Sequence, residues 1–252
     1  EENKVPLVMT MVAAKDVTKE SDQSFRFYLN VNQYALPHIE NMDVDKYREI
    51  AVLSINDEYG KDVSSVLINR AMERGINVVS HEEFSPGSTD FRTQLTKIKS
   101  KSPKVILVIS AVPPELINAV KQIKELNINT EIMEASLNLC VEGVRKSLGE
   151  LAEGVKTLCI PFDLKKTGND FRNDYVKAYN KNPDFASSFG HDMVELVGKA
   201  GKLDGIGGES LSDEIRAVRF IDSTNGLVEI QNNGEINPDI YPVTIRNGEL
   251  VR

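Results

Sequence analysis

Along this chain, short apolar runs alternate with stretches in which apolar side chains recur every three or four positions. The sharpest instance runs from Ile50 to Val79, IAVLSINDEYGKDVSSVLINRAMERGINVV. IAVLSI is aliphatic throughout and reads as a strand buried on both faces. Asn56 to Gly60 is a polar loop, and Val63, Val66, Leu67 and Ala71 then line one face of a helix. Gly75 ends that helix as a C′ residue, and Ile76 to Val79 begin the next strand. The result is a β-loop-α-β unit of a parallel sheet. Its loop lies at the carboxyl end of a strand, where ligands bind in open α/β sheets.

The same grammar extends in both directions. Val5 to Thr10 reads as a buried strand, Phe25 to Leu29 as a short extended piece, and Asn32 to Asn41 as a helix interrupted by Pro37. After the strand around Val78, Pro86-Gly87 makes a turn and Ser88 or Thr89 caps a helix running to about Lys101. Val105 to Ile109 is a buried strand, and Pro113-Pro114 opens a helix to Leu126. Thr130 to Met133 is a weaker strand, Val141 to Leu148 a short helix, and Val155 to Cys159 a strand closed by Pro161. This alternation predicts an α/β fold with a doubly wound parallel sheet.

Beyond Pro161 the pattern changes. Asn169 to Asn180 and Ala186 to Lys202 are successive helices, and Ser212 starts another that reaches about Ile221. Asp204 to Glu209 reads as a flexible connector. Gly226 to Gln231 and Ile240 to Ile245 are expected to form a closing antiparallel hairpin. Two features stay unbalanced: Val5 to Thr10 has no partner strand before it, and the helices at 169–202 carry apolar faces that need a sheet. A second lobe is implied, with most of its strands lying outside this sequence.

Composition narrows the function. A 40% hydrophobic fraction supports real cores, and no apolar run approaches the length that spans a membrane. No signal peptide is evident, and the absence of an initial Met suggests a processed or trimmed chain. With a net charge of -8 and basic residues scattered singly, the chain is a poor partner for nucleic acid. Cys140 and Cys159 fit no zinc or redox spacing. They read either as two buried thiols acting as small hydrophobes or as a disulfide, which would fit an oxidising compartment.

The usual catalytic signatures are missing. There is no phosphate-binding GxxxxGK[ST] loop, and the glycines of DGIGGE do not follow a strand. His81-Glu82-Glu83 lacks the second histidine of a zinc motif, and no GxSxG elbow occurs. Asp43 and Asp45 lack the glycine and distal glutamate of a calcium loop and read as solvated surface acids. His191-Asp192 reads as a packing pair on a helix. What remains is strand-end chemistry. Tyr59 places an amphipathic ring at the mouth of the sheet, able to stack on a small ligand and to hydrogen-bond it. Ser110-Ala111-Val112 and Glu134-Ala135-Ser136 close the next two parallel strands, and Thr10 to Ala14 ends the orphan strand.

With those residues in view, IAVLSINDEYGKD, EEFSPGSTDFRTQLTKIKSKSPKVILV, LAEGVKTLCIPFD and NGLVEIQNNGEINPDIYPVTIRNGELV resemble, in order, the branched-chain amino-acid binding proteins. These are type I periplasmic substrate-binding proteins of ABC transporters. The resemblance implies two α/β lobes joined by three crossings, a ligand held in the cleft between them, and closure by hinge bending that presents the ligand to a membrane permease. Residues 1–30 and 161–219 would form a partial first lobe, and 31–160 and 220–252 the second. The opening of the first lobe, about 90 residues as three βα units, would be absent, so the helices at 169–202 would be covered by that segment or by another chain.

The resemblance also implies a ligand set of Ala13, Ala14, Tyr59, Ala111, Val112, Glu134 and Ser136. Tyr59 matches the family's ligand-contacting tyrosine. Ala14 stands where the family has a hydroxyl for the ligand carboxylate, Ala111 or Val112 where an aromatic is common, and Ser136 where the amino-acid binders carry a glutamate for the ammonium. Glu134 could supply that acid only with a two-residue shift of the strand end. The expected ligand is therefore a small organic acid, amide or aromatic compound rather than an ordinary branched-chain amino acid. No cofactor, metal or catalytic residue is expected, and the place of action is periplasmic or extracellular, with a lipid anchor as one form of attachment. A ligand-sensing domain of a receptor or regulator is the alternative on the same fold; an enzyme on an α/β scaffold is a third reading.

Overall fold

The computed structural model describes residues 5–19, 21–164, 166–201 and 211–252. The expected connector at Asp204 to Glu209 lies outside them. The described chain divides into two compact units, Glu1–Asn30 with Ile160–Ile240, and Val31–Cys159 with Tyr241–Arg252.

The second unit begins with α1 (Val31–Glu40), which runs through Pro37 without a break. Then follow β3 (Glu49–Ile55), α2 (Glu58–Glu73), β4 (Asn77–Phe84), α3 (Arg92–Ser100), β5 (Val105–Ile109), α4 (Pro113–Glu125), β6 (Glu131–Glu134), α5 (Glu142–Leu148) and β7 (Lys156–Cys159). The chain returns to this unit in β10 (Tyr241–Arg246) and β11 (Glu249–Val251). The sheet order is β11-β10-β7-β6-β5-β3-β4, with β7 to β4 parallel and β10 antiparallel to both β7 and β11.

The core explains this order. Alternate residues of the strands (Ala51, Leu53, Ile55, Ile106, Val108, Ile132) pack on Leu95, Ile98, Leu116, Ala119 and Ile123 from α3 and α4, all but Ile132 fully buried. Each of the Leu, Ile and Val side chains contributes about 1.5–3 kcal/mol on burial. From β3 the chain moves out to β4, then crosses back to β5 on the other side of β3. The strand order reverses between β3 and β5, and the crevice outside a reversal point is where open α/β sheets bind ligands.

The first unit holds β1 (Leu7–Met9) and β2 (Ser24–Arg26) as a parallel pair, with α6 (Asn169–Tyr179), α7 (Phe185–Ala200), α8 (Leu211–Val218), and the antiparallel pair β8 (Phe220–Ser223) and β9 (Gly226–Glu229). Phe189 of α7 meets Phe27 and Tyr28 edge-on. Asp192, also on α7 and buried, accepts from the backbone N–H and hydroxyl of Thr224 and from the Asn225 amide. α6 has no buried residue; along it the Phe171 ring meets Tyr175 edge-on and Tyr175 meets Tyr179 at a tilt.

Three details depart from the pattern reading. The hairpin expected from 226–231 and 240–245 is replaced by two others. One is β8–β9, turning at Thr224-Asn225. The other is β10–β11, turning at Asn247-Gly248, where both residues have positive φ, the signature of a type I′ turn. The third crossing falls between Ile240 and Tyr241 rather than near Phe220. The reason is that the chain after β9 folds back and Glu235 bridges to Arg26 of β2. Finally, α3 starts after Phe91 with no side-chain cap from Ser88 or Thr89. Gln122 takes over there, accepting from the Phe91 N–H and donating to the Thr89 carbonyl.

Candidate functional site

Three strand ends of the second unit, those of β3, β5 and β6, build the site. After β3, Asp57 is the N-cap of α2 and accepts the Gly60 N–H at 2.7 Å. Gly60 is required by close approach: a Cβ there would stand 1.9 Å from the Ile55 carbonyl oxygen. The helix thus starts tight against the strand end, and Tyr59 sits in its first turn rather than in a free loop. The ring is half-buried against the core and lies nearly parallel to the ring of Tyr34 from α1, with centroids 6.4 Å apart and planes 21° apart. Burial pushes the Tyr59 phenol well above its ordinary range, with Tyr34 and Ser136 as hydrogen-bonding neighbours acting the other way. The hydroxyl is neutral at any physiological pH and able to donate.

After β5, the N–H of buried Ser110 donates to Ser136 Oγ at 3.1 Å, and Asn138 Nδ2 donates to the Ser110 carbonyl at 3.2 Å. The Ala111 N–H donates to Glu115 Oε2, whose other oxygen accepts from Gly87. Ala111 and Val112 are exposed, and Pro113-Pro114 starts α4 directly behind them.

After β6, Glu134 is fully buried. Thr157 Oγ1 of β7 donates to its Oε2 at 2.6 Å and the Asn138 N–H to its Oε1 at 3.0 Å. Burial raises its pKa, and those donors only partly offset the effect. Both oxygens are occupied by the chain itself, so Glu134 shapes the turn from beneath. Ser136 is half-buried at the rim, and the next residue, Leu137, holds φ of +63°. A bulky residue in the left-handed region is uncommon, and such strain concentrates at binding sites. Cys140, in the 3₁₀ turn that follows, is joined to Cys159 at the end of β7 with Cα atoms 5.8 Å apart. Of the two readings left open for these cysteines, the structure takes the disulfide.

Ala13 and Ala14 belong to the first unit, on the half-buried loop after β1. Arg26, itself buried, donates to the carbonyls of Val12 and Ala14 and pairs with Glu235, which also accepts from Thr18. The expected residues thus fall into two groups: Tyr59, Glu134 and Ser136 share one hydrogen-bonded neighbourhood with Ala111 and Val112 at its edge, and Ala13 and Ala14 lie on a separate, arginine-braced loop.

Four participants escaped the pattern: Tyr34, Asn138, Thr157 and the left-handed Leu137. Tyr34 looks like any core residue of an amphipathic helix. Asn138 and Thr157 gain meaning only when β6 and β7 pair, which no local spacing announces.

A two-unit α/β chain whose parallel sheet ends in polar loops around one aromatic ring has the type I periplasmic-binding-protein fold. Residues 1–249 match the family model described as periplasmic binding protein, and the chain belongs to that family. Among solved structures, it is similar to a leucine binding protein LivK from Thermotoga maritima MSB8, at 24% identity and TM-score 0.86, covering 100% of this chain and 73% of that one. It is also similar to an ABC-transporter solute binding protein from Rhodopseudomonas palustris BisB5 in complex with 3,4-dihydroxybenzoic acid (20%, TM-score 0.83, 99% and 70%). A third is the branched-chain amino acid transporter substrate binding protein LivJ from Streptococcus pneumoniae in complex with isoleucine (20%, TM-score 0.81, 99% and 72%). At these identities the likeness carries the fold, not the ligand.

Proposed function

We propose that this chain is an extracytoplasmic solute-binding protein that captures a small organic acid, amide or aromatic compound and delivers it to an ABC permease. The observation that carries the ligand class is the fate of the acids at the strand ends. Glu134 and Glu115 spend their oxygens on the chain's own donors, and Ser136 offers a hydroxyl instead of a counter-charge. An α-amino acid's ammonium, once desolvated, needs such a counter-charge. A carboxylate is met instead by donors, which the Tyr59 and Ser136 hydroxyls supply, and an aromatic body by the Tyr59 ring. Ala111 and Val112 form the edge of the proposed set, and Ala13 and Ala14 enter it on the family's pattern. The open face of α6 is proposed to be covered by further first-lobe chain or by another chain.

Native mass spectrometry of protein purified without denaturation, followed by a thermal-shift panel, tests the ligand class. At about 100 times its dissociation constant, a specific ligand adds roughly 2.7 kcal/mol. Stabilisation by aliphatic or aromatic carboxylates, and not by leucine, isoleucine or valine, is expected; the reverse pattern would overturn the ligand class. Fractionation tests the compartment: release with the cytoplasmic marker after gentle lysis contradicts an extracytoplasmic place.

A further inference from the structure

Away from those loops, the second unit holds a groove of about 350 Å³ between α1 and the β6-β7-β10 side of the sheet, at the lower end of the size range of small-molecule sites. Met42 and Met133 supply apolar walls, Tyr47 and Lys156 a polar side, and Arg252 stands at the rim. His38 lines it as well, 3% exposed, and its Nε2 has no hydrogen-bond partner among the described residues. A buried polar atom without a partner is rare in native structures and asks for an explanation.

The charges around the groove do not cancel. Glu131 is the anion of the cluster, held by Lys46 at 2.5 Å and Lys156 at 2.6 Å, with the Tyr47 hydroxyl donating to it as well. Two ammonium groups therefore share one carboxylate. Burial alone would raise the Glu131 pKa, but Lys156, Lys46 and Tyr47 bring it to about 2, so both pairs persist at neutral pH. Two of the three Lys156 donors go to Glu131 and the Tyr47 oxygen. Arg252, whose guanidinium lies 3.9 Å from the Tyr241 ring centroid, adds a further positive charge. An apolar trough with surplus positive charge at one side suits an amphiphilic anion. Its methionine walls can repack around a guest of that shape.

We propose that this groove is a second binding site, distinct from the strand-end loops, for a small monocarboxylate with an aliphatic body, its carboxylate held by Lys156 and Arg252. The test uses hexanoate as the probe and the intact protein labelled at the methionine methyl carbons. Met42 and Met133 are two of only six methionines, so their methyl signals report the groove directly. Saturable shifts of those two signals are expected, retained in Tyr59→Ala. The half-saturating concentration should rise at least tenfold, about 1.4 kcal/mol, in Lys156→Met and also rise in Arg252→Gln, whose exposed position spares the fold. Hexanamide should leave both signals unmoved. Linear, unsaturated shifts, equal binding of hexanamide, loss of the shifts in Tyr59→Ala, or unchanged affinity in both charge variants would each overturn the second site. The last two outcomes leave the reading of the strand-end loops standing.

Discussion

The rings of Tyr34 and Tyr59 lie 21° from parallel, with their centroids 6.4 Å apart. Tyr34 is 2% exposed and comes from the first helix of the second unit, whereas Tyr59 comes from the turn after the first parallel strand. One ring fixes the plane of the other, so a ligand stacking on Tyr59 meets a surface already ordered, and less entropy is lost on binding.

That division of labour separates stability from affinity. Tyr34→Ala removes a buried ring and should cost about 3–5 kcal/mol of unfolding free energy. Tyr59→Ala, at a half-buried rim, should cost less than half of that while weakening ligand binding at least tenfold, about 1.4 kcal/mol. Urea titration and isothermal calorimetry on the same preparations measure the two effects. Equal losses of affinity and stability in Tyr59→Ala would mean the ring is only a packing element.

Glu134 gives a pH signature. Burial raises its folded-state pKa above the ordinary value of 4.5. Between those two values the folded state holds the proton more tightly than the unfolded one. Its contribution is therefore fully present below pH 4.5 and is lost as pH rises through the folded pKa. Glu134→Gln copies the protonated form: its oxygen accepts from Asn138 and its amide donates to the Thr157 hydroxyl. The variant should lack the decline above pH 4.5 and match or exceed the wild type at pH 7. Denaturation midpoints across pH 4 to 8 decide it; a variant clearly less stable at pH 7 would show that the ionised carboxylate is what the turn requires.

How much of this was legible in the residues follows from where the information sits. IAVLSI, VILVI and the intervening helices carry their period locally, so the sheet of the second unit could be read from them. The same holds for Tyr59 at a strand end. The closing strands could not be placed that way: GLVEIQ pairs with the preceding FIDS because Thr224-Asn225 turns between them, and YPVTIR pairs with β7 far back in the chain. Asn247-Gly248 is a local turn signal, and both residues take the positive φ that joins β10 to β11. Glu134 was visible as a strand-end acid, but only the partners Thr157 and Asn138, 23 and 4 residues away, reveal that its oxygens are spent.

The disulfide ties the turn bearing Ser136 and Asn138 to the end of β7. It closes a segment of sequence separation 19, and a loop of that size stabilises by about 3 kcal/mol through the unfolded state. Cys140→Ser/Cys159→Ser should lose roughly that amount in a denaturant series and bind ligand more weakly. Unchanged affinity alongside the stability loss would mean that Glu134 and Asn138 hold the turn by themselves.

The loop bearing Ala13 and Ala14 depends on Arg26. The guanidinium is 2% exposed, reaches the carbonyls of Val12 and Ala14, and lies 2.5 Å from Glu235. Removing one partner of a buried pair leaves an uncompensated charge and costs about 3–5 kcal/mol, more than the pair contributes over an apolar replacement. Arg26→Met should show that loss at pH 7, and Arg26→Met/Glu235→Leu should recover most of it. The sign with pH follows from Glu235. Burial works to raise its pKa, but Arg26, Thr18 and Asn30 hold it below the ordinary carboxylate value. In the wild type its contribution is present above that value and lost as pH falls through the folded pKa. In Arg26→Met the same carboxylate is buried without its cation, so acid relieves it. The stability gap between wild type and Arg26→Met should therefore narrow from pH 7 to pH 3 when both are unfolded in urea. A gap that stays constant would place the effect in the lost backbone hydrogen bonds to Val12 and Ala14 rather than in the stranded charge.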